Sequence, residues 1–157
     1  MQQAGRNPAA NERTNVNARP NPETDALILV DVQRDFCPGG ALPVPHGDAV
    51  VPVLNRWLRE TDMVRVATRD WHPPHHCSFD EQGGPWPPHC VEHTPGAEFH
   101  PELLADRIDH VVSKATDPEE EAYSGFDAPQ LLQVLRGRGV ERLWIGGLAT
   151  DYCVKAT

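Results

Sequence analysis

"ALILV", residues 26–30, is an uninterrupted apolar run that stops at Asp31. A strand this short and this apolar has to be covered on both faces, which is the condition of a central strand in a parallel sheet flanked by helices. Three more short runs follow: "MVRVAT" at 63–68, "HVVS" at 110–113 and "RLWIGG" at 142–147. Segments with helical spacing lie between them. Val50, Val51, Leu54, Trp57 and Leu58 share one stripe, with Asp48 expected as its N-cap and Pro52 tolerable only in the first turn. "PQLLQVLRGRG" reads as a second helix, opened by Asp127 and closed at Gly137 or Gly139. Strands alternating with helices predict an α/β fold: three α/β/α layers around a mostly parallel, Rossmann-like central sheet with right-handed crossovers.

A chain of 157 residues is enough for one compact domain. The first 24 residues are rich in Asn, Pro, Arg and Ala without apolar periodicity and are expected to be a disordered extension, leaving 25–157 as the folded domain. Acidic residues outnumber basic ones, 23 to 14, and no basic stripe forms, so neither a nucleic-acid surface nor nucleic-acid partners are expected. No run is long and apolar enough for a membrane span and no secretory h-region opens the chain; no membrane association and a cytoplasmic location are the expectations. Cys37, Cys77, Cys90 and Cys153 include no C-x-x-C pair, and a disulfide scaffold is a poor reading in that compartment.

In open parallel sheets, ligands bind beyond the carboxyl ends of the strands. The residues at or just after the four predicted strand ends are Asp31, Asp70, Lys114 and, one turn on, Cys153. Singly, each has an ordinary reading: a turn carboxylate, a surface lysine, a buried thiol. Together, Asp31, Lys114 and Cys153 form a nucleophile with a proton acceptor and a balancing cation. "ATDYCVKAT" looks like a helix start with Thr150 or Asp151 as cap, whose positive end would favour a thiolate.

A second constellation lies in the long, proline- and histidine-rich connection at 69–109, in "RDWHPPHHCSF" and "WPPHC". Asp70 and His72 lie at i, i+2 from a strand end and can chelate one ion, with His89 completing a carboxylate-plus-two-histidine set and His76 a candidate fourth ligand. The alternative is a closed structural zinc using Cys77 or Cys90.

The blocks "LVDVQRDFCPGGAL", "TRDWHPPHHCSF", "GGPWPPHC", "TPGAEFHP", "AYSGFD" and "GGLATDYCV", in this order, resemble the nicotinamidase/pyrazinamidase branch of the isochorismatase-like cysteine hydrolases. The resemblance covers 26–157. It implies a catalytic set of Asp31, Lys114 and Cys153, and metal ligands Asp70, His72 and His89, with His76 matching a histidine that is a ligand in some members and supports metal-bound water in others. It further implies an aromatic clamp of Phe36 and Trp86 and an oxyanion hole from the N–H groups of Ala149 and Cys153. Leu148 joins the substrate-binding set, with a cis Leu148-Ala149 peptide. The implied activity is hydrolysis of nicotinamide to nicotinate and ammonia in NAD salvage, with pyrazinamide as a further substrate. The implied cofactor is one divalent ion: zinc first, iron or manganese as alternatives. A homo-oligomer is left open. Only Val154–Thr157 follow Cys153, whereas the resemblance implies further elements, so a C-terminally truncated domain is expected. Another isochorismatase-like amidohydrolase, or a truncated metal-binding chain without catalysis, are the alternatives.

Overall fold

The computed structural model describes residues 19–157. Most of the extension expected at 1–24 lies outside the described residues; its last part, 21–24, forms a turn against the first strand. Four strands form one parallel sheet: β1 (Asp25–Val30), β2 (Val64–Asp70), β3 (His110–Lys114) and β4 (Arg142–Gly147), in the order β3-β2-β1-β4. The chain moves outward from β1 through β2 to β3, then returns to the other side of β1 as β4. That reversal between β1 and β4 is a topological switch point, where the strand ends open a crevice.

All six residues of β1 are buried, as its apolar run requires. Alternate side chains feed two cores. Ala26, Ile28 and Val30 pack with Val66, Val112, Leu131 and Leu135 on the face covered by helix α2 (Pro129–Gly137). Leu27 and Leu29 pack with Val51, Leu54, Leu58 and Met63 on the face covered by helix α1 (Val50–Glu60). The expected three-layer arrangement follows. β4 is one of the two edge strands of this sheet, and its Ile145 is 39% exposed. No helix among the described residues is long and apolar enough to cross a membrane.

Three expected caps do not form. Asp48 lies within a short turn, Gly47–Ala49, that precedes α1, and Ala49 takes the N-cap position without a side-chain bond. Asp127 is used one turn too early to open α2. Its carboxylate accepts from the Ser124 N–H while the Ser124 hydroxyl accepts from the Phe126 N–H, closing the turn Gly125–Asp127 as a capping box. α2 then begins at Pro129, whose missing N–H costs nothing in a first turn. Thr150 and Asp151 lie inside a π-helical turn, Thr150–Val154, entered from Ala149 without a side-chain cap; the Ala149 carbonyl accepts from the N–H groups of Tyr152 and Val154.

Gly147, at the end of β4, has φ +145, and a Cβ there would sit 2.0 Å from the Val30 carbonyl oxygen. The close approach of β4 to the end of β1 therefore demands glycine.

At the opposite end of the sheet, one Asp25 carboxylate oxygen accepts from Arg142 Nε (2.9 Å) and Nη2 (2.6 Å), Trp144 Nε1 (2.8 Å) and the Asn21 N–H (3.0 Å). Burial alone would raise this carboxyl's pKa, but the bonds from Arg142 and Trp144 outweigh it and lower it from 3.8 to about 2. A depressed carboxyl contributes stability that is present above its unfolded pKa and lost as pH falls through its folded one, here on the order of 2 kcal/mol. Asp25→Asn is accordingly expected to lower the unfolding free energy by about 2 kcal/mol near neutral pH. In urea titrations the gap from the native chain should narrow as pH drops from 3.8 towards about 2; a gap that is constant over that window would contradict the assignment.

Candidate functional site

Beyond the strand ends, the expected catalytic and metal residues converge. Asp31 follows β1 in a left-handed conformation (φ 50), which turns the chain out of the sheet and its carboxylate inward. Thr68, on β2, donates its hydroxyl to Asp31 Oδ1 at 2.7 Å. Asp70 and Lys114 end β2 and β3 directly opposite each other in the ladder. Lys114 is 2% exposed, with Nζ 2.9 Å from Asp31 Oδ2, in direct contact with Asp70 Oδ1, and donating to the Ala122 carbonyl at 3.2 Å and to Cys153 Sγ at 3.6 Å. The Asp31 contact is an ion pair without hydrogen-bond alignment. The carboxylate also stands beside the thiol: one ligand atom each of Asp31, Asp70 and Cys153 lie within 4.8 Å of one another.

The electrostatics follow from burial. Desolvation lowers the Lys114 pKa, but the Asp31 and Asp70 carboxylates more than reverse this and hold it well above the ordinary lysine value. Burial raises the Asp31 carboxyl, with Lys114 pulling down and Asp70 pushing up. Burial opposes Asp70's charge too, yet Lys114 and His72 keep it below the usual carboxylate range. For Cys153, burial and then the Asp31 carboxylate push the thiol up, against the pull of Lys114. These effects oppose the pull that a helix start exerts towards the thiolate. The thiol keeps its proton beside a carboxylate that can accept it.

Next to this cluster, Asp70, His72 and His89 each present one ligand atom, all within 4.8 Å of one another. The donor set fits a cation. His72 Nδ1 lies 3.2 Å from the Ala115 carbonyl, and His89 Nδ1 lies 2.8 Å from the Pro87 carbonyl. A carbonyl only accepts, so each Nδ1 carries the proton and each Nε2 keeps its lone pair for a ligand. His72 Nε2 is buried without a hydrogen-bond partner and stands 3.6 Å from Asp70 Oδ2, the spacing of two atoms that share an ion between them. Burial lowers the His89 pKa, favouring the neutral ring that coordinates.

His76 does not join this set. Its Nε2 is committed to the Glu120 carbonyl (2.9 Å), which forces the proton there, and Nδ1 accepts from Ser78 Oγ (2.7 Å) and the Ser78 N–H (3.2 Å). Neither nitrogen is available. Nor do Cys77 and Cys90 enter the donor cluster; all four cysteines are free, and burial pushes the Cys90 thiol well up.

Phe36, Trp86, Ala149 and Cys153 line one cavity of about 230 Å³ with Asp70 and His89. Leu148 does not reach its wall. The peptide after it is cis, as expected, but its side chain packs with Phe36, Cys37, Cys90 and Ala97 beneath the site. Sequence reasoning missed three contributors. Tyr123 accepts a hydrogen bond from Trp86 Nε1 (3.1 Å), and Tyr152 stands edge-on to the Trp86 ring, so both orient that wall. Asp35 accepts from the N–H groups of Cys90 (2.8 Å) and Ala41 (3.1 Å), tying the His89 segment to the residues that lead into the apolar wall of Leu42 and Val44. Tyr123 and Asp35 stand inside the quoted motif blocks, and their polar atoms beside aromatic or turn positions were the available signal.

An isochorismatase domain model matches residues 25–157. The nicotinamidase/pyrazinamidase of Mycobacterium tuberculosis is 44% identical over 142 residues, covering 84% of this chain and 75% of that protein. Among solved structures, pyrazinamidase of Pyrococcus horikoshii in complex with zinc superposes with a TM-score of 0.80 at 57% identity, over 87% of this chain and 76% of the other. PnC1 from L. infantum in complex with nicotinate gives 0.84 at 39% identity, over 87% and 73%. A parallel sheet, a cysteine at its switch point and these matches agree: the chain belongs to the isochorismatase family, in its nicotinamidase/pyrazinamidase branch.

Proposed function

We propose that the chain hydrolyses nicotinamide to nicotinate and ammonia through a thioester on Cys153, as a step of NAD salvage, and accepts pyrazinamide in the same cavity. The observation that carries this reading is the shared wall: Cys153 and two members of the cation set, Asp70 and His89, face one cavity flanked by Phe36 and Trp86. A planar aromatic amide with a ring nitrogen meta to its carboxamide, as nicotinamide and pyrazinamide both have, meets both ends at once. The relatives named above support the choice of ring.

Asp31 takes the thiol proton as sulfur attacks the amide carbon. The N–H groups of Ala149 and Cys153 receive the developing oxyanion, an arrangement in which one donor contributes about 3 kcal/mol to the barrier. Asp31 returns the proton to the leaving nitrogen, ammonia departs, and water activated by the same carboxylate releases nicotinate. Lys114 holds Asp31 and Asp70 in place throughout. An ion bound by Asp70, His72 and His89 would supply Lewis-acid docking for the ring nitrogen. We assign zinc to that position because the donors are one carboxylate oxygen and two imidazole nitrogens and a solved relative carries zinc.

The direct test is ammonia release from nicotinamide. Cys153→Ala should abolish it, and metal stripping should abolish it reversibly, with zinc restoring more activity than iron or manganese. Turnover that survives Cys153→Ala would end the thioester reading.

Asp31→Asn should lower kcat/KM by about 10²–10⁴-fold, the usual range for a general acid–base. Because Asp31 acts as a carboxylate and its pKa is raised above 3.8, activity should fall with decreasing pH along a limb displaced to higher pH than an ordinary carboxyl. A limb at or below 3.8 would assign the proton transfer elsewhere.

Lys114→Met leaves two buried carboxylates facing each other, and should cost about 3–5 kcal/mol in unfolding free energy as well as activity. A variant of native stability in thermal or urea unfolding would show that the carboxylates do not depend on it.

A further inference from the structure

β1 and β2 run in register as far as Val30 opposite Thr68, and the Asp31 N–H still donates to the Thr68 carbonyl at 3.2 Å. There the chain turns away, while β2 continues to Asp70 with only β3 beside it. The Trp71 N–H points to β3, donating to the Lys114 carbonyl at 3.1 Å. In a parallel ladder successive residues face opposite sides, so the N–H and C=O of Asp70 face the side that β1 has vacated. Both are buried and would be orphaned there.

The side chain of Gln33 occupies that place. Its Oε1 accepts from the Asp70 N–H at 2.8 Å and its Nε2 donates to the Asp70 carbonyl at 2.7 Å, a cyclic pair like a rung of the sheet. The second Nε2 hydrogen goes to the Ala97 carbonyl at 2.8 Å. Gln33 is fully buried, and an uncharged primary amide is the side-chain group that offers both halves of a peptide at once.

We infer that Gln33 is a positioning residue for Asp70, substituting for the missing strand and thereby setting the aim of the carboxylate that Lys114 and the cation site share. The inference rests on the reading of Asp70, His72 and His89 as a cation site. Asp70 has one oxygen on Lys114 and the other towards His72 Nε2, so a small rotation of the strand end would spoil both contacts. Sequence reasoning passed over Gln33 because nothing in "LVDVQRDF" distinguishes a buried glutamine from a solvated one.

The test uses the metal-stripped full chain and Co²⁺ as probe, titrated by its visible absorption well below the melting temperature. Gln33→Met keeps length and volume and removes the three bonds. Gln33→Glu keeps the acceptor but sets a carboxylate oxygen against two carbonyls. Leu58→Ala, in the core under α1, is a control that loses stability without touching Asp70. Both Gln33 variants should bind Co²⁺ about 10–100-fold more weakly, the usual loss for a residue that orients a ligand, while Leu58→Ala binds as the native chain does. Native Co²⁺ affinity in Gln33→Met would overturn the inference even if that protein melts earlier. If neither Gln33 variant folds, amide exchange in the native chain decides: an Asp70 N–H as protected as those of β1 supports the rung, and rapid exchange overturns it. Nicotinamide turnover is read separately, so a chain that binds Co²⁺ as expected without releasing ammonia would sink the functional reading and leave Gln33's role intact.

Discussion

The ammonium of Lys114 between Asp31 and Asp70 is the contact on which the site depends. Three strands deliver these three groups, and the ladder fixes their relative height: Asp70 stands opposite Lys114, and Asp31 follows Val30, which stands opposite Thr68. A slip of one residue between β2 and β3 would send Lys114 to the other face of the sheet and leave both carboxylates buried without a cation. Sheet register and site chemistry are therefore one constraint. The sheet tolerates the buried charges because each has a partner supplied by a neighbouring strand, and Thr68 takes the remaining oxygen of Asp31.

Proton transfer from Cys153 to Asp31 moves charge within this cluster without changing its total. Before transfer there are two carboxylates and one ammonium; after it there are one carboxylate, one thiolate and the same ammonium. A buried site pays heavily for changes in net charge, less for relocating it. This reconciles a thiol pushed up by burial with a nucleophilic role. In the proposed step the proton goes to a carboxyl that burial has also pushed up, so donor and acceptor are shifted in the same direction. The cluster is left one negative charge in excess, which a divalent cation held by Asp70, His72 and His89 would more than offset.

Residues that terminate strands were legible in the sequence because a short apolar run announces its own end and the parallel fold fixes what lies beyond it. Asp31, Asp70, Lys114 and, one turn on, Cys153 came from that rule, while both helices came from their apolar spacing and the sheet type from the alternation of strands with helices. Caps were not legible. Asp48 and Asp127 are good capping residues in the right neighbourhood, but the preceding short turns used those positions first, and Pro129 can open a helix without help. Gln33, Asp35 and Tyr123 carried only a weak local signal for a different reason: the bonds that give them their roles run to backbone carbonyls, a backbone N–H and an indole N–H some 37 to 64 residues away, a distance in sequence that no local pattern spans.

His76 shows how the connection between β2 and β3 works. Its composition offers no ladder, and it is held instead by a few bonds to the segment after β3. His76 reaches the Glu120 carbonyl, the Cys77 N–H reaches the Pro118 carbonyl at 2.8 Å, and Trp86 reaches Tyr123. Lys114 donates to the Ala122 carbonyl in that same segment. The cation set, the aromatic wall and the lysine are thus parts of one hydrogen-bonded unit. A histidine turned into the cation site would add a fourth protein ligand, and a zinc-like ion with four protein ligands has no position left for a ring nitrogen or water. Turned outward, the same residue leaves such a position open and joins the two segments that shape the cavity.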